Sequence, residues 1–263
     1  MRLRKIILFV TGCFLFLIAF SLFSCEKTFD DKTPGQNVFT NSSIMQVYMA
    51  TVGTSRNYVY VNAQAITGAA MTLGSIFPST GYGFSVPAGF TSFLVRDTLS
   101  TSTQVPLAFT ENLQFNKNYS LFMYDTITSP KQKTVLTEIV FPSDTTARIR
   151  FANFAYSPVA IPAVDIYSAN KMQNIFTNVQ VTDVTSYIPY ESGKTDTFYV
   201  RPTGTTTNLQ NWITTAVPPG LADVRTFFTP TRKRSYTIMF RGGYRSTVST
   251  ITSMRALTAY ANY

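Results

Sequence analysis

The sequence predicts an all-β protein, organised as two tandem immunoglobulin-like antiparallel β-sandwiches that follow an N-terminal signal and lipidation segment. The first observation is composition, because 39 threonines, 22 phenylalanines and 15 tyrosines favour pleated, half-buried surfaces. The second is alternation of apolar and polar residues in runs such as NYVYVNA, TSFLVRD and DTFYVRP, which turn sequences such as VPAG and ESG interrupt. The third is that no long stretch after the signal carries apolar residues at helical spacing.

An internal repeat divides the predicted β region into two copies. Residues 44–97 align with residues 147–202, so that IMQVYMATV faces ARIRFANFA, YVYVN faces AVDIY, and FLVRD faces FYVRP. Further on, NKNYSLFMYD aligns with RKRSYTIMFRG, after an insertion in the second copy. Each copy has the length of an immunoglobulin-like sandwich. We therefore predict one sandwich at 44–141 and another at 145–263, joined through the segment FPSDTT and each able to fold alone.

The N-terminus has the pattern of a secretory signal. Basic residues among the first five precede an almost entirely apolar run over residues 6–23. The sequence LFSC, which ends at Cys25, resembles the lipobox of bacterial lipoproteins, whose cysteine takes up diacylglycerol and acyl chains such as palmitate. We predict that residues 1–24 are a signal peptide, that Cys25 is the lipidated N-terminus, and that residues 25–43 form a tether.

Two alternatives compete with lipidation at Cys25. The sequence VTGC, which ends at Cys13, also resembles a lipobox, but cleavage there would leave residues 14–23 as an exposed apolar tail. The other alternative is an uncleaved membrane helix, because the apolar run over residues 6–23 reaches the short limit of what spans a bilayer core. A cysteine at the polar boundary favours cleavage.

The composition of the mature chain excludes several kinds of chemistry. One cysteine would remain, so a disulfide within the chain is impossible, and there is no histidine anywhere. Ser-His-Asp catalysis, Cys-His catalysis and histidine-containing metal sites are therefore excluded, and we predict no cofactor and no metal. Removal of three basic signal residues lowers the net charge from +9 to +6, which is 19 basic minus 13 acidic residues. The charge is scattered, so nucleic acid is not an expected partner.

The second copy also resembles a known family. Its segments ARIRFANFAYSPVAIPAVDIYSANK, VTSYIPYESGKTDTFYVRPTGT and KRSYTIMFRG are similar to the bacterial domain of unknown function 4397. The positions that match the family pattern are Asp165, Tyr187, Gly193, Tyr236, Thr237 and Gly242. The first copy is more divergent, because NYVYVN replaces the strand that carries the aspartate. The resemblance implies exported, often lipid-anchored β-sandwich modules, and it supplies no catalytic residues.

Carboxylates in the second copy are the only candidates for catalysis. Asp165, Asp183, Glu191 and Asp196 lie close in sequence, and paired carboxylates can hydrolyse glycosidic bonds. However, carboxylates at strand ends and turns usually accept hydrogen bonds from the local backbone. The sequence also lacks a nucleophile motif and a phosphate-binding loop. We therefore expect these carboxylates to be structural and the protein not to be an enzyme.

Two further features could bind a ligand. Arg232, Lys233 and Arg234, with Arg225, Arg241 and Arg245 nearby, form the densest basic region. This region could attract acidic glycans, but a solvated turn is the favoured interpretation. The single tryptophan, Trp212, lies in the insertion at residues 205–228 and could stack on a sugar ring, although packing of the loop onto its own domain is favoured.

The residues that follow the predicted lipidated cysteine indicate a location and, with the predicted fold, a class of function. Glu26, Asp30 and Asp31 follow the predicted lipidated cysteine and resemble the surface-export signals of some Gram-negative lipoproteins. We predict a protein that the lipid on Cys25 anchors to the outer membrane, at the cell surface rather than the periplasmic face. Its expected role is structural or adhesive, through a protein or glycan partner. The alternative is a glycan-binding lipoprotein of a surface uptake system.

Three sequence stretches predict O-glycosylation. Asp-Thr followed by an aliphatic residue or threonine resembles a sequon of some exported Gram-negative proteins. It occurs with Thr98, Thr126 and Thr145 as the candidate acceptors. A sugar needs an exposed acceptor, and strand ends and linkers supply one. The alternative is that these Asp-Thr pairs simply close turns.

Overall fold

A computed structural model describes residues 41–54, 56–81, 83–139, 142–211, 222–247 and 252–262. These residues form strands, turns and loops without a helix, so the predicted all-β class is confirmed. Accordingly, the described part of the chain contains no helix that could cross a membrane. The strands are β1 (Ser42–Met49), β2 (Tyr58–Val61), β3 (Gln64–Ala65), β4 (Ile76–Phe77), β5 (Phe84–Pro87), β6 (Gly89–Arg96), β7 (Leu107–Leu113), β8 (Asn118–Thr126), β9 (Ser129–Leu136), β10 (Ala147–Tyr156), β11 (Val164–Ser168), β12 (Gln173–Val179), β13 (Ile188–Tyr190), β14 (Asp196–Pro202), β15 (Arg225–Phe228), β16 (Ser235–Gly243) and β17 (Ala256–Ala261).

The first copy of the repeat forms two sheets that pack face to face, called here the first sandwich. Its inner sheet has the order β4-β1-β8-β9, with β5 also paired to β1, and its outer sheet has the order β3-β2-β6-β7. Alternate side chains of both sheets meet in one apolar core, as the alternating sequence pattern predicts. The fully buried members of this core include Met45, Val47, Val59, Val86 and Leu121.

The second copy repeats this arrangement as the second sandwich. Its inner sheet has the order β13-β10-β16-β17 and its outer sheet has the order β12-β11-β14-β15. Apart from β4, each strand of the first copy has a counterpart in the second, for example β10 for β1 and β16 for β8. The fully buried members of its core include Ile149, Phe151, Ile166, Phe198, Val200 and Ile238.

The pairing direction differs from the prediction at the centre of each inner sheet. The strands β1 and β8 run parallel, as do β10 and β16, whereas the other paired strands are antiparallel. A parallel pair needs a long crossover, and here the chain passes through the outer sheet between the two strands. Parallel strands are usually covered on both faces, which fits the nearly continuous burial along β10.

The two inner sheets pack back to back, so the unit that contains both sandwiches has four β layers. Phe122 lies at the centre of this contact, with its ring centroid 4.6 Å from that of Tyr48 and 4.4 Å from that of Phe154. We call this contact the interlayer core; its buried members are Tyr48, Ala50, Phe122, Ala152, Phe154, Met239 and Tyr260. Both sandwiches belong to one compact unit.

A polar network crosses one side of the interlayer core. The Nε of Arg150 donates to Thr237, whose hydroxyl donates to the Oδ1 of Asn262 at 2.7 Å. The amide of Asn262 in turn donates to the Oε1 of Gln46 in the first sandwich at 2.9 Å. Because sliding one sandwich over the other would leave these buried groups unpaired, the network specifies their relative orientation.

Candidate functional site

The buried carboxylate of Asp165 holds an irregular strand in place. Its Oδ1 accepts hydrogen bonds from the backbone amide of Asn178 at 2.8 Å and from the hydroxyl of Thr203 at 2.6 Å. Its Oδ2 accepts one from the side chain of Asn174 at 2.9 Å. The register of β11 against β12 shifts beside Asp165, and Asn178 has a positive φ of 54°. The carboxylate therefore compensates for backbone bonds that the irregularity disrupts.

Asp196 is also buried and accepts hydrogen bonds on both oxygens. The hydroxyls of Ser168 and Tyr190 donate to Oδ2, and the backbone amides of Asn170 and Thr197 donate to Oδ1. Burial raises the pKa of this carboxyl, but these hydrogen bonds outweigh it and hold the pKa below the ordinary value of 3.8. Burial, together with Asp196, raises the pKa of the Tyr190 phenol.

The remaining carboxylates do not join these two in a catalytic arrangement. Asp183 is exposed and accepts a hydrogen bond from the backbone amide of Gln180 in a local turn, and Glu191 is also exposed. Within the described ranges, no group of three or more His, Cys, Asp or Glu side chains could hold a metal ion. The geometry gives Asp165 and Asp196 structural hydrogen bonds, as the sequence predicts for carboxylates at strand ends.

The predicted basic region is not one continuous patch. Arg232, Lys233 and Arg234 are exposed in the turn before β16, and the backbone amide of Lys233 donates to the carbonyl of Thr146. Arg225 and Arg245 are exposed elsewhere on the surface. Arg241 points instead toward the first sandwich, where its guanidinium lies against Gly74 so closely that a Cβ there would overlap it. Arg241 thus belongs to the contact between the sandwiches.

The predicted modification sites have different surroundings. Thr98 and Thr145 are exposed, whereas Thr126 is half-buried at the end of β8. Asp97 accepts a hydrogen bond from the amide of Leu99, and Asp144 accepts one from the amide of Thr146, each at 2.9 Å. These bonds are the local turns of the alternative interpretation. Cys25 and Trp212 lie outside the described residues.

An aromatic surface covers the outward face of the second outer sheet. Tyr167 and Tyr199 are opposite each other on β11 and β14, with ring centroids 6.5 Å apart. The guanidinium of Arg201 lies 3.6 Å from the centroid of the Tyr167 ring, a cation–π contact. Phe227 on the neighbouring strand β15 is 69% exposed, and it is separated from Arg225 by one residue, so both face the same side. We call this set of five residues the aromatic face.

The first outer sheet repeats one part of the aromatic face. The guanidinium of Arg96 lies 5.1 Å from the centroid of the Tyr60 ring. Tyr60 is opposite Leu94 on β6, as Tyr167 is opposite Tyr199 on β14. The sequence alignment of YVYVN with AVDIY misses this equivalence, because it places Tyr60 beside Asp165. An arginine is the signal that could have found this equivalence. Arg96 lies two residues after Leu94, and Arg201 lies two residues after Tyr199.

The fold and its surface define a class of protein, a tandem β-sandwich with aromatic–arginine pairs on both outer sheets. No family model matches the chain and no curated protein matches it, so the resemblance to the domain of unknown function 4397 stays a prediction. Among solved structures, the chain is similar to one described as "Alpha-glucan binding by a streptococcal virulence factor". The identity is 11%, the TM-score is 0.21, and the match covers 76% of this chain and 92% of that chain. A superposition this slight carries no argument about function.

Proposed function

We propose that the protein is a lipid-anchored binding protein of the outer-membrane surface, with a structural or adhesive role and no catalysis. One observation carries the proposal: aromatic and arginine side chains recur at equivalent positions on the two outer sheets, at opposite ends of the four layers. Tyrosine and arginine side chains on each of these surfaces are typical of interaction sites, because they combine large contact area with directional hydrogen bonding. Asp165 and Asp196, two of the four carboxylates weighed as candidates for catalysis, accept structural hydrogen bonds, which supports a role without catalysis.

The aromatic face also favours the second candidate, a glycan-binding lipoprotein of a surface uptake system. Rings such as Tyr199 and Phe227 can stack against the apolar faces of sugar rings, and guanidinium groups such as that of Arg225 can donate to hydroxyls. Trp212, which the sequence identifies as a candidate sugar platform, would add a third ring. A protein partner would use the same rings without selecting for sugar stereochemistry.

Glycan arrays distinguish the two candidates. For the mature chain without its lipid, residues 26–263, the glycan candidate predicts a specific hit that Tyr199→Ala weakens about fivefold, since stacking contributes roughly 1 kcal/mol. Phe90→Ala is the matched control, because Phe90 is 83% exposed on the first outer sheet, away from the aromatic face. Trp212→Ala tests the predicted sugar platform. An array without specific hits would leave the adhesive role with a protein partner.

Lipidation at Cys25 predicts a defined mature N-terminus. Mass spectrometry of the protein from its native membrane is expected to show an acylated Cys25 and no residue of 1–24. Cys25→Ala should leave the precursor unprocessed, whereas Cys13→Ala, the matched control, should be processed normally because Cys13 is discarded with the signal. An unmodified Cys25, or retention of residues 1–24, would refute the anchor.

The intact mass of the same preparation tests O-glycosylation. Modification predicts an excess over polypeptide plus lipid in sugar-sized steps, which disappears when Thr98, Thr126 and Thr145 are changed to alanine. Thr126 is the least accessible of the three, so we expect the lowest occupancy there. A mass equal to polypeptide plus lipid would leave only the turn interpretation.

A further inference from the structure

A cleft of about 470 Å³ opens between the two sandwiches, at one edge of their inner sheets. Val135 and Leu136 of β9 line it from the first sandwich, and residues 184–187 line it from the second. Lys133 of β9 reaches across this edge and donates to the carbonyl of Thr182 at 2.6 Å. The cleft is therefore preformed, and its volume is within the range of small-molecule sites.

Arg150 contributes a buried cation to the lining of this cleft. Its side chain is only 2% exposed, and it donates to two neutral hydroxyls, those of Thr237 at 2.9 Å and Ser120 at 2.6 Å. Among the described residues, the ion pairs are Arg56–Asp97 and Lys131–Asp125, so no carboxylate there lies within ion-pair distance of Arg150. A buried charge without an opposite charge is costly unless an anion completes the site.

Tyr187 adds a neutral hydrogen-bond donor to the cleft beside the cation of Arg150. Its ring centroid is 4.8 Å from the guanidinium carbon of Arg150, so the ring covers part of the cation. Its hydroxyl is buried near the hydroxyl of Thr237, and no hydrogen bond of good geometry reaches it in the described part of the chain. Burial raises the pKa of this phenol to about 12, although Arg150 opposes the shift, so the hydroxyl stays protonated at neutral pH.

We propose that this cleft binds the carboxylate of a small ligand, with Arg150 as the residue that pairs with it. A guanidinium matches a carboxylate in geometry and charge, and the nitrogen Nη1 of Arg150 has no partner among the described residues. Glu138 is the one acidic residue in the lining, and it is exposed. Its negative charge opposes the ligand and weakens binding. This site is separate from the aromatic face and does not rest on the proposed function.

The ligand carboxylate could belong to an acidic sugar or to a small organic or peptide acid. Titration calorimetry of residues 26–263 should therefore compare glucuronate, an N-acetylated dipeptide with a free carboxylate, and glucose at equal ionic strength. Both acids or one of them should bind saturably, and the stronger ligand identifies the source of the carboxylate. Glucose, which has a similar shape to glucuronate but no charge, should not bind.

Variants assign the binding to Arg150. Arg150→Met should lower the affinity for the acid at least about tenfold, because a charge-assisted hydrogen bond contributes about 1.5–3 kcal/mol. Arg148→Met, on the same strand and beside Thr146 rather than in the cleft, is the matched control and should bind normally. Glu138→Gln, an exposed change that should not disturb folding, should tighten binding by a few-fold through loss of repulsion.

Two results would overturn the proposal. One is equal acid binding by Arg150→Met and the unaltered protein. The other is the absence of saturable acid binding in both the unaltered protein and Glu138→Gln, a test that holds even if Arg150→Met fails to fold. Equal binding of glucose and glucuronate would likewise contradict a site that selects for a carboxylate.

Discussion

Phe154→Ala is expected to lower the free energy of unfolding by roughly 3–5 kcal/mol, the usual cost of removing a buried phenylalanine side chain. Phe154 is 1% exposed and stacks on Phe122 of the other sandwich, with ring centroids 4.4 Å apart. Its removal leaves a cavity between two sheets that strand pairing holds rigid, so the site can collapse only partly. Thermal unfolding followed by circular dichroism should begin at a temperature about 10 °C lower than in the unaltered protein.

The number of thermal unfolding transitions is a more specific test of the shared core. Because the interlayer core belongs to both sandwiches, the unaltered protein should unfold in one transition, and Phe154→Ala should separate it into two. Phe198→Ala is the matched control, since Phe198 is fully buried inside the second sandwich. It should destabilise the protein as strongly without separating the transitions. An unchanged melting temperature for Phe154→Ala would contradict a shared core.

Separate expression of residues 44–141 and 145–263 extends the same test. Each half keeps its paired strands, except that the first loses Ser42 and Ser43 at the start of β1, and this supports independent folding. Each half also exposes its side of the interlayer core, including Tyr48 and Phe122 in one half and Phe154 in the other. We therefore expect β-type spectra for both halves, with lower stability than in the full chain and a tendency to associate.

Asp196→Ala is expected to destabilise the protein by roughly 2–4 kcal/mol, because it removes four hydrogen bonds to a charged carboxylate and a bond to a charged group contributes about 1.5–3 kcal/mol. The hydroxyls of Ser168 and Tyr190 can still bond each other, at 2.8 Å, but the amides of Asn170 and Thr197 lose their acceptor. Urea unfolding measures the change. Asp183→Ala, at an exposed carboxylate, should alter stability by less than about 0.5 kcal/mol.

The pH dependence of stability identifies the charged form of Asp196 as the stabilising one. Its pKa in the folded protein lies below the ordinary value of 3.8, so its contribution is fully present above that value. The contribution is lost as the pH falls through the lower, folded-state pKa. Melting temperatures from pH 6 to pH 2 should therefore fall less steeply for Asp196→Asn than for the unaltered protein. Identical slopes would mean that Asp196 is not stabilised as a carboxylate.

The sequence by itself determined the all-β class and most of the strand positions. Alternation in NYVYVNA and DTFYVRP corresponds to β2 and β14, because a half-buried strand needs one apolar face. The turn residues between such runs marked where strands end. The structural use of Asp165 and Asp196 could also be expected, since aspartates beside turns usually bond the local backbone. Cys25 and Trp212 rest on the sequence alone.

Only the tertiary structure decided which face of a strand meets which partner. Alternation shows that a face is buried, but not whether a core or a second sandwich covers it, so the interlayer core around Phe122 could not be foreseen. The parallel pairing of β10 with β16 was hidden for the same reason, because side-chain pattern is independent of strand direction. The cleft at Arg150 and the Tyr60–Tyr167 equivalence depend on residues far apart in sequence. Their proximity follows from packing and register, which no local pattern encodes.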